Sequence, residues 1–176
     1  MRKFFILTAI FGLLLSSMVF ANLPTKDIVP GKSVGGLKLG TSAKEIKKMM
    51  GEPDKVEKGE AGQKYFVYNY NKDKKREYGF MLTIEDDILI TIFVFDKNFL
   101  APGGIKVGAS AMKIQEKYKD QIDKKYYIMQ KNDLGGSDII FPRIGIGFMV
   151  KSDAKAGEDL ITNIMILEPI PDWTQK

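Results

Sequence analysis

GGLKLGTSAKEIKKMM at residues 35–50 and GGIKVGASAMKIQEKY at residues 103–118 are one phrase written twice, 68 positions apart. Gly35, Gly36, Lys38, Gly40, Ser42, Ala43 and Ile46 recur as Gly103, Gly104, Lys106, Gly108, Ser110, Ala111 and Ile114. Two copies of a stretch this long imply a shared local fold. In the first copy, Ser42-Ala43-Lys44-Glu45 has the form of a capping box. The serine hydroxyl accepts from the N–H of Glu45, and the glutamate carboxylate accepts from the N–H of Ser42. A helix is predicted from Ser42, with Ile46, Met49 and Met50 on one face and Gly51 and Pro53 ending it. The second copy predicts a helix from Ser110 that turns Ile114, Tyr118 and Ile122 inward. The glycines ahead of each helix suit positive φ or close chain approach.

Strand patterns follow each helix. Residues 64–70, 77–84 and 88–95 alternate or run apolar at strand length after the first, with turns at Asn71–Arg76 and Glu85-Asp86-Asp87. After the second, residues 125–130, 138–141, 144–150 and 160–167 read the same way. Gly79-Phe80-Met81 matches Gly147-Phe148-Met149 at the spacing of 68, and ILITIFVF from Ile88 matches LITNIMIL from Leu160 at 72. The extra residues fall in the turn at residues 152–159, where insertions are tolerated. The expected class is therefore α+β: a tandem repeat of one helix plus about four antiparallel strands, the two sheets joined into one curved sheet. The expected units are residues 22–100 and 101–170, with a tail at 171–176. Strict alternation puts Ile88, Ile90, Ile92 and Val94 on the core face. It leaves Leu89, Thr91, Phe93 and Phe95, with their twins Ile161, Asn163, Met165 and Leu167, on the opposite one. A face this apolar is expected to be buried by central placement, by packing between units or by a partner.

The first 21 residues have the layout of a cleaved secretory signal: Arg2 and Lys3, an apolar run from Phe4 to Leu15, then Val19-Phe20-Ala21 with small residues at the −3 and −1 positions. No cysteine follows that run, so a lipid anchor is not expected, and no other apolar segment approaches membrane-spanning length. The expected location is periplasmic or secreted. Without Arg2 and Lys3 the 27 basic residues fall to 25 against 22 acidic ones, and the net charge from +5 to +3. This mild balance argues against nucleic acid as a partner, and Lys72–Arg76 reads as a solvated turn. Zero cysteines in an exported chain leave stability to burial, which 44 % apolar content can supply.

The absence of His and Cys removes Ser-His-Asp and Cys-His catalysis and zinc sites of the usual ligand type. Ser110-Ala111-Met112-Lys113 has the S-x-x-K spacing of penicillin-recognising serine enzymes, but no S-D-N or K-T-G partner accompanies it. As the twin of the Ser42 cap it reads as a helix start. Glu85-Asp86-Asp87 and Asp153…Glu158-Asp159 lack calcium-loop spacing and read as solvated turns. No metal and no cofactor is expected.

The pattern G-x-x-x-G-x-S-x-x-E-[IV]…G-x-P at residues 36–53, followed by a strand meander, resembles the small outer-membrane assembly lipoproteins of the SmpA/OmlA type. Two such units in tandem resemble the β-lactamase inhibitor protein family. That resemblance implies two sheets joined edge to edge and a concave face that grips a protein. Neither the lipid-modified cysteine of the first family nor the disulfides of the second is present, and no gripping residue carries over. The functional expectation is an exported, non-enzymatic module that recognises a protein or cell-envelope component through its sheet surface, in an enzyme-inhibitor-like or envelope-assembly role. Tyr65, Tyr68, Tyr70, Tyr78, Phe93, Lys74 and Arg76 are the candidate contact residues. The alternatives are a structural envelope protein and a carboxylate-dependent hydrolase, the latter requiring acids such as Glu85 and Asp159 to converge.

Overall fold

The computed structural model describes residues 23–69, 79–132, 135–155 and 157–175. The expected signal segment lies outside them, as do Tyr70, Lys74, Arg76 and Tyr78.

Strands dominate. Three short strands, β1 (Ile28–Val29), β2 (Ser33–Val34) and β3 (Leu37–Lys38), form an antiparallel sheet of their own. Helix α1 (Ala43–Met50) is followed by β4 (Lys55–Lys58), β5 (Lys64–Tyr68), β6 (Phe80–Glu85) and β7 (Ile88–Val94). Helices α2 (Met112–Lys117) and α3 (Lys119–Asp123) precede β8 (Ile128–Lys131), β9 (Ser137–Phe141), β10 (Ile146–Asp153) and β11 (Glu158–Leu167). The last eight strands make one antiparallel sheet in the order β4-β5-β6-β7-β11-β10-β9-β8. Its centre is the β7–β11 pairing, with Val94 opposite Ile164 and Thr91 opposite Leu167.

The expected α+β class, one helix plus a meander twice over, is thereby corrected. The three α-helices are 8, 6 and 5 residues long, and the chain is mainly β. Two physical causes are visible. The glycines ahead of Ser42 were expected only to lead into the first helix, yet residues 28–38 fold on themselves into the three-stranded sheet. The second helix has only half a box. The Ser110 hydroxyl accepts from the Met112 N–H at 3.3 Å, but Lys113 stands where Glu45 completes the first box, and the residue before α2 is Ala111. That helix breaks at Tyr118, so α2 ends after six residues and α3 turns away. In α1 the capping box is present, with both the Ser42 and Glu45 bonds at 3.3 Å. The hydroxyl of Ser42 also holds the exposed Glu45 carboxyl below its usual pKa. Ile46 and Met50 are buried there, while Met49, expected beside them, is exposed.

One core lies on one face of the large sheet. Phe66, Phe80, Leu82, Ile84, Ile92 and Val94 meet Phe141, Ile146, Phe148, Ile164 and Ile166. Helices α1 and α2 and the three-stranded sheet pack on that same side through Ile46, Met50, Ile114, Val34 and Leu37. Tyr118 stacks on Phe141 at 4.8 Å between ring centroids, and Phe80 meets Phe99 edge to face at 5.0 Å. The small sheet is tied to the middle of the chain and to the turn before β10. Asp27 bridges Leu100, and Gly31 donates to the Gly145 carbonyl at 3.0 Å.

The twice-written phrase has one job in both places. Gly40 donates to the Leu89 carbonyl, Leu89 to Thr41 and Ala43 to Asp87, at 2.8, 3.0 and 2.8 Å. Gly108, Ile161 and Ala111 make the matching bonds to Ile161, Ala109 and Asp159 at 2.8, 2.9 and 2.9 Å. Strands β7 and β11 pair with each other only through residues 91–94 and 164–167. Each phrase therefore satisfies the backbone groups of the strand start that the other central strand does not reach. At each handover the ladder carries a bulge, and Ile90 and Thr162 are the residues left without a partner in the hairpin register.

The bulge corrects the expected facing. An extra residue resets the period of two, so Leu89 and Ile161 turn into the core at 1 % exposure each, while Ile88 is exposed. Downstream of the bulge the alternation holds.

Candidate functional site

The face opposite the core carries an apolar row that crosses the whole sheet. Cα partners place Lys55, Val67, Met81, Phe93, Met165, Gly147, Ile140 and Ile128 side by side on β4, β5, β6, β7, β11, β10, β9 and β8. Met81, Phe93, Met165, Ile140 and Ile128 are half-buried, and Val67 is fully buried. The Met165 methyl lies over Gly147, where an added Cβ would meet it at 2.7 Å. Among the described residues, every helix and the three-stranded sheet belong to the other face.

A second row, from β11 to β8, runs Asn163, Met149, Asp138 and Gln130, with Phe95 just past the end of β7. Here the Thr162 bulge, with Asn132 and Gly136 beside it, leaves a pocket of about 310 Å³. Its walls include Phe95, Met149, Asn132, Lys151 and Asn163. One wall is held by Asn132, whose carbonyl oxygen Oδ1 accepts from Gly136 at 3.0 Å and whose Nδ2 donates to Asp138 at 2.9 Å. Asn163 is 4 % exposed, and its Nδ2 donates to the Met149 thioether at 3.4 Å. Sulfur is a weak acceptor.

Of the expected contact residues, Tyr65 and Phe93 lie on this face, both half-buried. Tyr68 is corrected to a core residue at 3 % exposure, because it falls in alternation with Phe66. Its hydroxyl donates to the Gly51 carbonyl at 3.1 Å, tying β5 to the end of α1. Sequence reasoning missed Val67, Met81, Ile140 and Ile128, since no single strand shows the row that eight strands make together. Glu85 and Asp159 do not converge. The β7–β11 register puts the start of β11 beyond Val94, at the opposite end of the sheet from Glu85. No cluster of acids able to hold a metal occurs among the described residues.

Two buried tyrosines respond oppositely to loss of the hydroxyl. Tyr68→Phe removes a bond to a carbonyl and is expected to cost about 1 kcal/mol. The Tyr118 hydroxyl is buried with no partner among the described residues, so Tyr118→Phe is expected to stabilise by about 1 kcal/mol. Burial raises the Tyr118 phenol to about 12. It raises Tyr68 further, with the negative charges of Glu52 and Asp54 adding to the effect. Unfolded tyrosine ionises near pH 10, roughly. The unfolded chain therefore sheds both protons first, and the stability these groups contribute is whole below about pH 10 and declines above it. Between about pH 10 and 12 each tyrosine steepens the fall by roughly 1.4 kcal/mol per pH unit. Urea melts of the wild type and both variants from pH 8 to 12 check the signs. Identical pH slopes in wild type and Tyr118→Phe would refute the assignment for Tyr118.

Comparison with known proteins follows from this geometry. Residues 39–136, from the first glycine phrase through β8, match the family described as CAP-associated N-terminal. The chain is similar to the crystal structure of the uncharacterised protein yfeY from Escherichia coli, with 15 % identity and a TM-score of 0.56 over 80 % of this chain and 99 % of that one. At that identity the likeness shows the fold alone. An extracellular protein containing an SCP domain from Bacillus anthracis gives 13 % identity and a TM-score of 0.48 over 74 % of this chain and 44 % of that one. A cysteine-rich secretory protein from Staphylococcus aureus gives 15 % and 0.46 over 81 % and 48 %. The chain thus spans less than half the length of either. No curated protein matches, and none of these likenesses points to the SmpA/OmlA or β-lactamase inhibitor families. The family match takes in more than half of the residues, from Leu39 to Gly136, and on that ground the chain belongs to the CAP-associated N-terminal family.

Proposed function

We propose that the chain is an exported, non-enzymatic recognition module that holds a protein or cell-envelope component on the open face of its eight-stranded sheet. The observation that carries this reading is the apolar row from Met81 to Ile128, whose Met81, Phe93, Met165, Ile140 and Ile128 stay partly exposed on the face opposite the helices. Rows of this extent on a soluble surface mark contact sites. The family's description as CAP-associated supports an accessory role beside another domain. Glu85 and Asp159, the acids named for a hydrolase, lie at opposite ends of the sheet, which favours recognition over that alternative.

A photoreactive phenylalanine analogue placed at Phe93 tests the reading in cells making the full chain. The expected result is a discrete crosslinked adduct that is lost when Met165, its cross-strand neighbour, is changed to Glu. The same analogue at Met49, exposed on α1 at 42 %, is expected to give none. Absence of an adduct at Phe93, or equal adducts at both positions, would defeat the proposal.

A further inference from the structure

The pocket beside Asn163 is built differently from the rest of the face. Strand β11 reads Ile161, Thr162, Asn163, Ile164, and among the described residues this asparagine is the one buried amide of the sheet. A primary amide has two N–H donors, and a buried one is normally satisfied by good acceptors. Here the acceptor is a thioether. Lys151 lines the same pocket and forms no ion pair among the described residues. The other polar groups of the wall are already engaged: Asn132 at both ends of its amide, and Thr162 through its hydroxyl, which donates to the Met149 carbonyl at 3.2 Å. What remains is one amide donor and one cation beside the Phe95 ring and the Met149 thioether.

This set has a definite complement. Two donors, one of them charged, select an anionic acceptor such as a carboxylate, and the apolar wall selects a hydrophobic group next to it. The corresponding place in the first half lacks the set, because Thr91 stands for Asn163, Thr83 for Met149 and Glu85 for Lys151. We infer that the pocket receives the carboxyl-terminal residue of a peptide chain whose last side chain is apolar. The carboxylate is held by Asn163 Nδ2 and Lys151 Nζ, and the side chain lies against Phe95 and Met149. The inference rests on the reading of this face as a protein-recognition surface and names the part of the partner that its end takes.

The test uses the full mature chain, ¹⁵N-labelled, titrated with N-acetyl-Gly-Phe. The expected result is shifts at the Asn163 side-chain amide and at the Gly136 and Lys151 backbone amides. The same peptide with an amidated C-terminus is expected to bind roughly tenfold more weakly, the loss that goes with a charged hydrogen bond. Asn163→Thr places the residue of the first half in an equivalent strand position, so the fold is kept, and it too is expected to weaken binding roughly tenfold. Lys151→Ala supplies the second, exposed variant. Equal binding of acid and amide, shifts confined to other regions, or unchanged affinity in both variants would overturn the assignment. 3-Phenylpropanoate binding as tightly as the peptide would overturn the chain-end assignment in favour of a free small acid. The outcome is independent of the crosslink at Phe93. An adduct there with no peptide binding removes only the pocket assignment, and peptide binding with no adduct removes only the wider face.

Discussion

Gly145→Ala is expected to destabilise the protein by about 3 kcal/mol or more, one of the two largest losses foreseen for a single substitution. Gly145 sits at φ +70°, where an L side chain is strained. Strain alone accounts for roughly 1–2 kcal/mol. The rest comes from crowding, because the new Cβ would lie 2.3 Å from the Leu167 carbonyl oxygen and 2.6 Å from the Gly31 Cα. Both are backbone atoms and cannot swing aside. The same peptide unit accepts from Gly31 at 3.0 Å and from Leu167 at 3.2 Å, so relief of the clash breaks the tie between the three-stranded sheet and the end of β11. Gly108→Ala is the control. Its φ is +82° but nothing lies within 4 Å of the added carbon, so only the strain of roughly 1–2 kcal/mol is expected. Equal losses for the two variants in urea melts would show that the crowding is relieved at little cost.

What could be read in advance was local. The Ser42–Glu45 box is complete within four residues, and α1 begins where it says. Strand positions along 64–68, 80–85 and 88–94 were visible because each alternates or runs apolar at strand length. The spacing of 68 that set Gly147 beside Gly79 was off by two residues: the registers put Gly147, opposite Met165, in the place of Met81, opposite Phe93. What was not legible depends on partners distant in sequence. The chain before Ser42 looked like an approach, since two-residue strands such as Ile28–Val29 and Ser33–Val34 are too short to show a period. Tyr68 looked like a contact residue because tyrosine suits both a binding face and a core, and only its register opposite Phe80 decides between them. The open row could not be seen at all from any one strand. Met81, Phe93, Met165 and Ile140 become a surface only once four registers are known. Asn163 was the exception with a readable signal: a single amide inside ITNIMIL is out of keeping with its neighbours.

Leu89→Ala and Ile161→Ala are each expected to cost about 3 kcal/mol, a value typical of full burial in a core. Strict alternation gives the opposite expectation. It would put both residues on the open face with Phe93 and Met165, where truncation of an aliphatic side chain costs below about 1 kcal/mol. The difference between the two outcomes is set by one inserted residue in each central strand. That insertion has a cause in the hydrogen bonding. β7 must serve two partners along the same edge, the glycine phrase at Asp87 and Leu89 and then β11 from Thr91 to Val94. β11 must do the same with the second phrase and β7. The ladder shifts where one partner hands over to the other, and the side chain just before the shift is turned inward to fill the space under its own glycine phrase. Ile90, the bulged residue, is half-buried and has Thr162 as its twin, so Ile90→Thr is expected to stay within about 1 kcal/mol of wild type. Thermal or urea melts of the three variants decide the matter. Losses below 1 kcal/mol for Leu89→Ala and Ile161→Ala would mean that the bulges are absent and that the phrase seen twice in the chain does not dock on the central strands.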